Sequence, residues 1–63
     1  MKNQISVIIP TLNEKNNITI LINKLLDISN IEEIIVVDDN SVDGTGDAVK
    51  KFININHKIK LYY

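Results

Sequence analysis

The sequence predicts an α/β fold, a three-stranded parallel sheet with the element order β-α-β-α-β. Short runs rich in Ile and Val alternate with two stretches in which apolar residues recur at helical spacing. Strands that alternate with helices are typical of a parallel sheet. The second strand run, 34–37, is apolar at every position, which suits a strand covered on both faces.

The boundaries of the elements follow from the residue pattern. The predicted elements are a strand over 5–10, a helix over 16–28, a strand over 33–37, a helix over 45–53 and a strand over 59–63. The apolar stripe of the first helix consists of Ile18, Leu21, Ile22, Leu25 and Leu26. The stripe of the second helix consists of Thr45, Ala48, Val49, Phe52 and Ile53.

Polar residues mark the two helix starts. Either Asn16 or Asn17 is expected to cap the first helix by accepting a hydrogen bond from a free backbone N–H. Gly44 is expected to supply a positive φ in the turn before the second helix, since glycine adopts that conformation without steric cost. Asp43 or Thr45 is then expected to cap the second helix.

Strands in sequential order place both helices on one face of the sheet, because crossovers between parallel strands are right-handed. The other face is also apolar, and the 63 residues supply nothing to cover it. We therefore interpret residues 1–63 as a single partial domain. Self-association or a missing C-terminal part is expected to cover the open face.

Composition and charge exclude several functional classes. Seven basic and eight acidic residues give a net charge of −1, which does not suit a nucleic-acid-binding surface. The absence of cysteine fits a reducing, cytoplasmic compartment. The single histidine, His57, lies in a polar loop and is expected to be solvated. The longest apolar runs span only a few residues, too few to cross a bilayer.

Carboxylates follow both of the first two strands. Asp38 and Asp39 end the apolar run 34–37, and Glu14 follows the first strand. Ligands of open α/β sheets bind beyond the carboxyl ends of the strands, so these acids predict a site. One Asp is expected to accept hydrogen bonds from ligand N–H or hydroxyl groups. The structural alternatives are that one Asp caps the turn 41–44 while the other is solvated, and that Glu14 interacts with the helix dipole.

Other classes of site lack their motifs. The run 43–46 does not have the spacing of a P-loop, and no Gly-x-Gly-x-x-Gly follows the first strand. No nucleophile–base pair, no metal cluster and no Asp-x-Asp occurs in the sequence. Asp38 and Asp39 are adjacent, so a strand would point their side chains to opposite faces rather than toward one ion.

Two segments carry a resemblance to a known family. They are SVIIPTLNE, residues 6–14, and IVVDDNSVDGT, residues 35–45. They resemble the N-terminal segment of family 2 glycosyltransferases, which have a GT-A (Rossmann-like) fold and use nucleotide-diphosphate sugars. The acidic run 38–45 is most similar to that of dolichol- or polyprenol-phosphate mannosyltransferases.

The resemblance implies a set of donor-binding residues. Those expected around the nucleoside are Pro10, Leu12, Glu14, Val37 and Asp39. A second group consists of Thr11, Asn13, Asp38 and Ser41. By the resemblance, Asp39 holds the base and Glu14 holds the ribose. Leu12 departs from the family, which usually has an aromatic residue, most often Tyr, at this position.

The implied function is donor binding in an enzyme that transfers a hexose, such as mannose from GDP-mannose, to a polyprenyl phosphate. The implied partners are GDP-mannose or a UDP-sugar and a lipid-phosphate or saccharide acceptor. A divalent metal, Mg²⁺ or Mn²⁺, is expected in the full-length enzyme, with its ligands and the catalytic base outside these residues. The expected location is cytoplasmic, with association of the full-length protein with the cytoplasmic face of a membrane.

Two alternatives to this function remain. One is an inactive truncated fragment that binds nucleotide weakly and transfers no sugar. The other is a receiver-like signalling domain, in which an acid pair follows the first strand, whereas here it follows the second.

Overall fold

The computed structural model describes residues 4–63 and contains three parallel strands and two helices. The elements in chain order are β1 (Ile5–Thr11), α1 (Lys15–Leu26), β2 (Ile31–Asp38), α2 (Thr45–Ile53) and β3 (Ile59–Tyr62). The strands pair in the order β1-β2-β3. The predicted α/β class and its element order are confirmed.

Both helices pack on the same face of the sheet and contact each other. Alternate residues of each strand point to this face, where they form the core with the apolar stripes of the helices. The buried core residues are Ile18, Ile22, Ile31, Ile34, Val36, Val49 and Ile59. This arrangement is the one expected for right-handed crossovers between sequential strands.

The opposite face of the sheet is uncovered in the described part of the chain. The residues that alternate with the core positions are exposed or half-buried; they are Ser6, Ile8, Pro10, Glu33, Ile35, Val37, Lys60 and Tyr62. Ile8 is 65% exposed and Val37 is 40% exposed, so apolar surface meets solvent here. What covers this face, and how far the domain extends, stay predictions.

The strands are longer than predicted. β1 continues through Pro10 to Thr11, and β2 begins at Ile31 and includes Asp38. Pro10 does not end the strand, because β1 has a neighbour on one side only among residues 4–63 and can leave a missing N–H on its outer edge.

Helix α1 also differs from the prediction. It covers Lys15–Leu26 instead of 16–28, and Leu21 is 39% exposed instead of buried in the stripe. Leu21 lies toward the outer edge of β1, where no further strand packs against it in the described chain. Neither helix in residues 4–63 has the length and apolar character needed to cross a membrane.

The predicted cap of α1 by Asn16 or Asn17 is wrong. The helix begins one residue earlier, and the backbone N–H groups at its start are bound by one side chain of the β2–α2 loop and one at the start of α2. Asp43 Oδ2 accepts a hydrogen bond from Lys15 N at 3.0 Å, and Thr45 Oγ1 accepts one from Glu14 N at 3.0 Å. The cap therefore comes from a distant part of the chain.

Candidate functional site at the carboxyl ends of β1 and β2

The predicted site residues meet at one edge of the sheet. Pro10 lies opposite Val37 and Thr11 lies opposite Asp38 in the parallel register. The ladder continues one step further, since Asp39 N donates a hydrogen bond to Thr11 O at 2.9 Å. The β1–α1 and β2–α2 loops therefore leave the sheet side by side, at the position where open α/β sheets bind ligands.

Asp38 is buried at this edge, with 2% of its surface exposed. Its carboxylate accepts hydrogen bonds from the Thr11 hydroxyl at 2.6 Å, the Ser41 hydroxyl at 2.6 Å and the Ser41 backbone N–H at 2.8 Å. Burial acts to raise the pKa of Asp38, but the hydrogen bonds from Ser41 and Thr11 together hold the pKa below its usual value. Asp38 is thus a structural carboxylate that caps the turn.

The network continues from Asp38 into the β1–α1 loop. The Ser41 hydroxyl accepts a hydrogen bond from Asn13 N at 2.7 Å, and Asn13 Oδ1 accepts one from Val42 N at 2.9 Å. Asn13 and Asn40 adopt positive φ values of 53° and 54°, a conformation that Asn tolerates better than most residues. The second predicted group, Thr11, Asn13, Asp38 and Ser41, therefore forms a single network that joins the two loops.

A second bridge joins the loops at the helix starts. Asp43, which accepts a hydrogen bond from Lys15 N, also accepts two from Thr45. One comes from the Thr45 hydroxyl and the other from the Thr45 backbone N–H at 2.9 Å. The hydrogen bond from the Thr45 hydroxyl is the main cause that lowers the pKa of Asp43. Gly44 has a φ of 94°, as predicted. The expected cap by Asp43 or Thr45 is found in part, because Asp43 binds the first backbone N–H of α2 but Gly44 occupies the N-cap position.

The first predicted group is left available. Leu12 is 56% exposed, and Asp39 is exposed with no side-chain hydrogen bond to another residue of 4–63. Glu14 is also exposed, and its carboxylate accepts only one long bond, 3.5 Å, from Asn17 Nδ2. Of the two adjacent aspartates, Asp39 is the one that a ligand can reach.

The large groove of the structure does not coincide with this edge, and the pocket that touches the edge is small. A groove of about 710 Å³ lies between α1 and α2, and none of the predicted site residues lines it. A small pocket of about 60 Å³ beside β1 is lined by Pro10, Thr11 and Glu14 among others, and it is too small for a nucleoside. The candidate site is therefore an open surface at the sheet edge, which we call the shelf. It consists of the exposed residues Pro10, Leu12, Glu14, Val37 and Asp39.

Sequence reasoning missed one residue at this edge. Tyr62, on β3, lies opposite Val37 in the register and is 55% exposed. The signal that could have found it is the two-residue alternation of a third parallel strand. His57, in contrast, is exposed in its loop, as expected.

The described residues do not fit a divalent-metal centre. Within 4–63, no group of three or more His, Cys, Asp or Glu side chains is placed to hold an ion. Both oxygens of Asp38 are already occupied by hydrogen bonds, which leaves Asp39 and Glu14 as the exposed carboxylates of this edge, fewer than the three that such a group requires. The expected Mg²⁺ or Mn²⁺ therefore has no set of ligands in this part of the chain.

The fold and this edge define a Rossmann-like α/β unit with an exposed, partly acidic surface at the carboxyl ends of its first two strands. Comparison with known families gives the more particular identity: the model of glycosyl transferase family 2 matches residues 6–63. The chain belongs to this family, whose members transfer sugars, and the receiver-like alternative is set aside. No solved structure matches the chain.

Proposed function

We propose that this chain binds the nucleoside of a nucleotide-sugar donor on the shelf at the carboxyl ends of β1 and β2. The observation that carries the proposal is the division between two adjacent carboxylates. Asp38 is buried and fully hydrogen-bonded, whereas Asp39 is exposed and has no side-chain partner among residues 4–63. An exposed acceptor beside a fixed turn suits recognition of a ligand N–H.

The two predicted groups then have different tasks. Asp39, ionised, accepts a hydrogen bond from a ring N–H of the base, and Glu14 accepts bonds from the ribose hydroxyls. Leu12, Pro10 and Val37 contribute apolar contacts. The network around Asp38 holds the loops in place before the donor binds, which reduces the entropic cost of binding.

The finer specificity is proposed from the motif alone. The run 38–45 is similar to that of polyprenol-phosphate mannosyltransferases, so we propose GDP-mannose as donor and a polyprenyl phosphate as acceptor. We also propose a cytoplasmic location for the protein, at the membrane face where a lipid acceptor is available. When bound, a divalent cation would act as a Lewis acid toward the diphosphate. Residues 4–63 do not fit a site for this cation.

Titration calorimetry of the purified chain with GDP and UDP tests the binding role. Asp39→Asn should weaken nucleotide binding by about 10- to 100-fold, the value of a hydrogen bond to a charged group. Asp47→Asn removes another exposed carboxylate, on α2, and should leave the affinity unchanged. Circular dichroism shows whether the Asp38→Asn variant is folded, so that a loss of binding caused by unfolding can be recognised. A larger loss for folded Asp38→Asn than for Asp39→Asn would overturn the assignment.

Sugar transfer needs a separate assay. Binding energy for the nucleoside alone does not stabilise the leaving diphosphate, so we expect the 63-residue chain to bind without turnover. The chain is incubated with labelled GDP-mannose, Mg²⁺ or Mn²⁺ and a polyprenyl phosphate, and labelled lipid is measured. Labelled lipid above a control without protein would show that these residues carry the transfer chemistry, contrary to this expectation.

A further inference from the structure

A row of three side chains crosses the open face at the carboxyl edge of the sheet. Pro10 on β1 lies opposite Val37 on β2, and Val37 lies opposite Tyr62 on β3. All three are exposed, Val37 by 40% and Tyr62 by 55%. Neighbouring strands lie about 4.8 Å apart, so the row spans roughly 10 Å, which is the size of a nucleobase with its sugar.

The alternation of the strands brings the exposed carboxylate to the same face. Along β2, Val36 and Asp38 are buried on the helix side, and Val37 is exposed on the other side. Asp39 comes two residues after Val37, and its N–H still takes part in the β1–β2 ladder. Asp39 therefore continues on the open side, just beyond the apolar row.

We propose that Tyr62 is a base-binding residue: its ring forms the aromatic part of a platform, with Pro10 and Val37, on which the nucleobase of the donor stacks. This inference rests on the proposed function and adds a residue from a third strand to it. The platform supplies the aromatic surface that Leu12 does not offer.

A nucleobase is the occupant that the chemistry of this face favours. It has flat apolar surfaces, which suit a ring and two aliphatic side chains, and an edge with N–H donors, which suits a carboxylate. Asp39 stands at the carboxyl rim of the row, where such an edge would reach it. A second apolar sheet face would instead bury this carboxylate without a partner of its own.

The neighbouring tyrosine provides a control within the same chain. Tyr63 points to the helix side, where its hydroxyl lies 2.8 Å from the position that a Cβ on Gly46 would take. The Lys50 ammonium lies 5.9 Å from the centre of its ring. Tyr63 thus packs against α2, whereas Tyr62 lies on the face that the described chain leaves open.

The test uses the full 63-residue chain and GDP or UDP as the probe. Tyr62→Ala should weaken binding by roughly 5- to 150-fold, the range for stacking of a base on one aromatic ring. Tyr62→Phe keeps the ring and should restore the affinity. Tyr63→Phe keeps the packing against α2 and should bind like the unmodified chain.

Proton NMR gives a readout that a structural role would not change. The chain has only two tyrosines and no tryptophan, so the ring protons of Tyr62 are assigned by comparing the chain with Tyr62→Phe. We expect the base to shift the ring protons of Tyr62 upfield and to give contacts with them in nuclear Overhauser spectra. The ring protons of Tyr63 should stay where they are.

The outcomes separate this inference from the function on which it rests. If Asp39→Asn weakens binding and Tyr62→Ala does not, the role of Tyr62 is overturned and the nucleotide site stands. If the unmodified chain binds neither GDP nor UDP, both the proposed function and the role of Tyr62 are overturned. If Tyr62→Ala alters sedimentation of the chain but not its nucleotide affinity, the face binds another copy and the inference is overturned.

Discussion

The two sides of the carboxyl edge use the same stretch of sequence in opposite ways. On the helix side, Thr11, Asp38 and Ser41 are bound to one another and form a rigid link between two loops. On the open side, Val37 and Asp39 have no such partners among residues 4–63. Neighbours in a strand motif are therefore not equivalent, since alternation buries one in a structural network and leaves the next exposed.

The burial of Asp38 is possible only because its oxygens are satisfied. A buried carboxylate without hydrogen bonds would be costly, whereas three donors from Thr11 and Ser41 stabilise the charged form. The donors come from the end of β1 and from the β2–α2 loop, and Ser41 also accepts a hydrogen bond from Asn13 N, so Asp38 helps to position the loop that carries Leu12 and Glu14. The hydrogen-bond network on the helix side therefore helps to position the exposed residues of the candidate site.

The largest effect that tests this comparison is expected in the core between sheet and helices. Ile34 is fully buried, and Ile8, on the open face, is 65% exposed. Ile34→Ala should lower the free energy of unfolding by about 2–5 kcal/mol, because it leaves a cavity among packed side chains. Ile8→Ala should change it by less than about 0.5 kcal/mol. Urea unfolding followed by circular dichroism measures both.

The same pair of variants also tests whether the open face of the sheet is exposed in solution. A chain of this length has a total unfolding free energy of roughly 3–9 kcal/mol, so Ile34→Ala is expected to be partly or wholly unfolded. A loss at Ile8 as large as at Ile34 would show that the open face is buried in solution. The two sides would then differ only in what covers them.

The second effect concerns the two adjacent aspartates. Asp38→Ala removes the acceptor from three donors and leaves the buried Thr11 hydroxyl without a partner, which should cost about 1–3 kcal/mol. Asp39→Ala, one residue further, removes no side-chain hydrogen bond within 4–63 and should be close to neutral. Equal losses in thermal unfolding would contradict the division of roles.

The pH dependence of stability provides a second test of the different roles of Asp38 and Asp39. The pKa values of Asp38 and Asp43 are lowered in the folded chain, so the unfolded chain takes up protons first as the pH falls. Their contribution is complete above the ordinary Asp pKa of about 3.9 and is lost as the pH falls below it. The midpoint of thermal unfolding should therefore drop from about pH 4 downward, and less steeply in Asp38→Asn than in Asp39→Asn.

Much of the fold could be predicted because its signals are local. The two-residue and helical periodicities predicted all five elements, and the turn chemistry of Asp43 and Gly44 predicted the start of α2. The alternation also predicted that Asp38 and Asp39 point apart. Which of the two is buried could not be predicted, because that depends on Thr11, 27 residues away, lying opposite Asp38.

The cap of α1 failed for the same physical reason. Asn16 and Asn17 are good capping residues by their chemistry. The backbone N–H groups at the start of α1 are instead bound by Asp43, in the β2–α2 loop, and by Thr45, at the start of α2. Tyr62 was missed because its significance lies in its position beside Val37, which only the β2–β3 register shows. Contacts between segments distant in sequence decided each of these cases.

The smallest expected effect lies on the open face, at the amino ends of the strands. There Glu33 accepts hydrogen bonds from the Ser6 hydroxyl at 2.8 Å and from the Lys60 ammonium at 2.9 Å. Lys60 is the main cause that lowers the pKa of Glu33, and Glu33 raises the pKa of Lys60. Glu33 thus accepts two hydrogen bonds where Asp38 accepts three, and its cluster is solvated.

Glu33→Gln should therefore change stability much less than Asp38→Ala, although it removes an ion pair with good geometry. The Lys60 side chain is 49% exposed, and water and salt screen exposed pairs strongly. Urea unfolding in dilute buffer and in about 1 M salt, where the screening length is about 3 Å, should show a slight loss that disappears at high salt. Glu32→Gln, on the neighbouring exposed carboxylate, is the control. A loss for Glu33→Gln that matches Asp38→Ala and persists in salt would mean that the open face excludes water, and the contrast between the two sides would no longer hold.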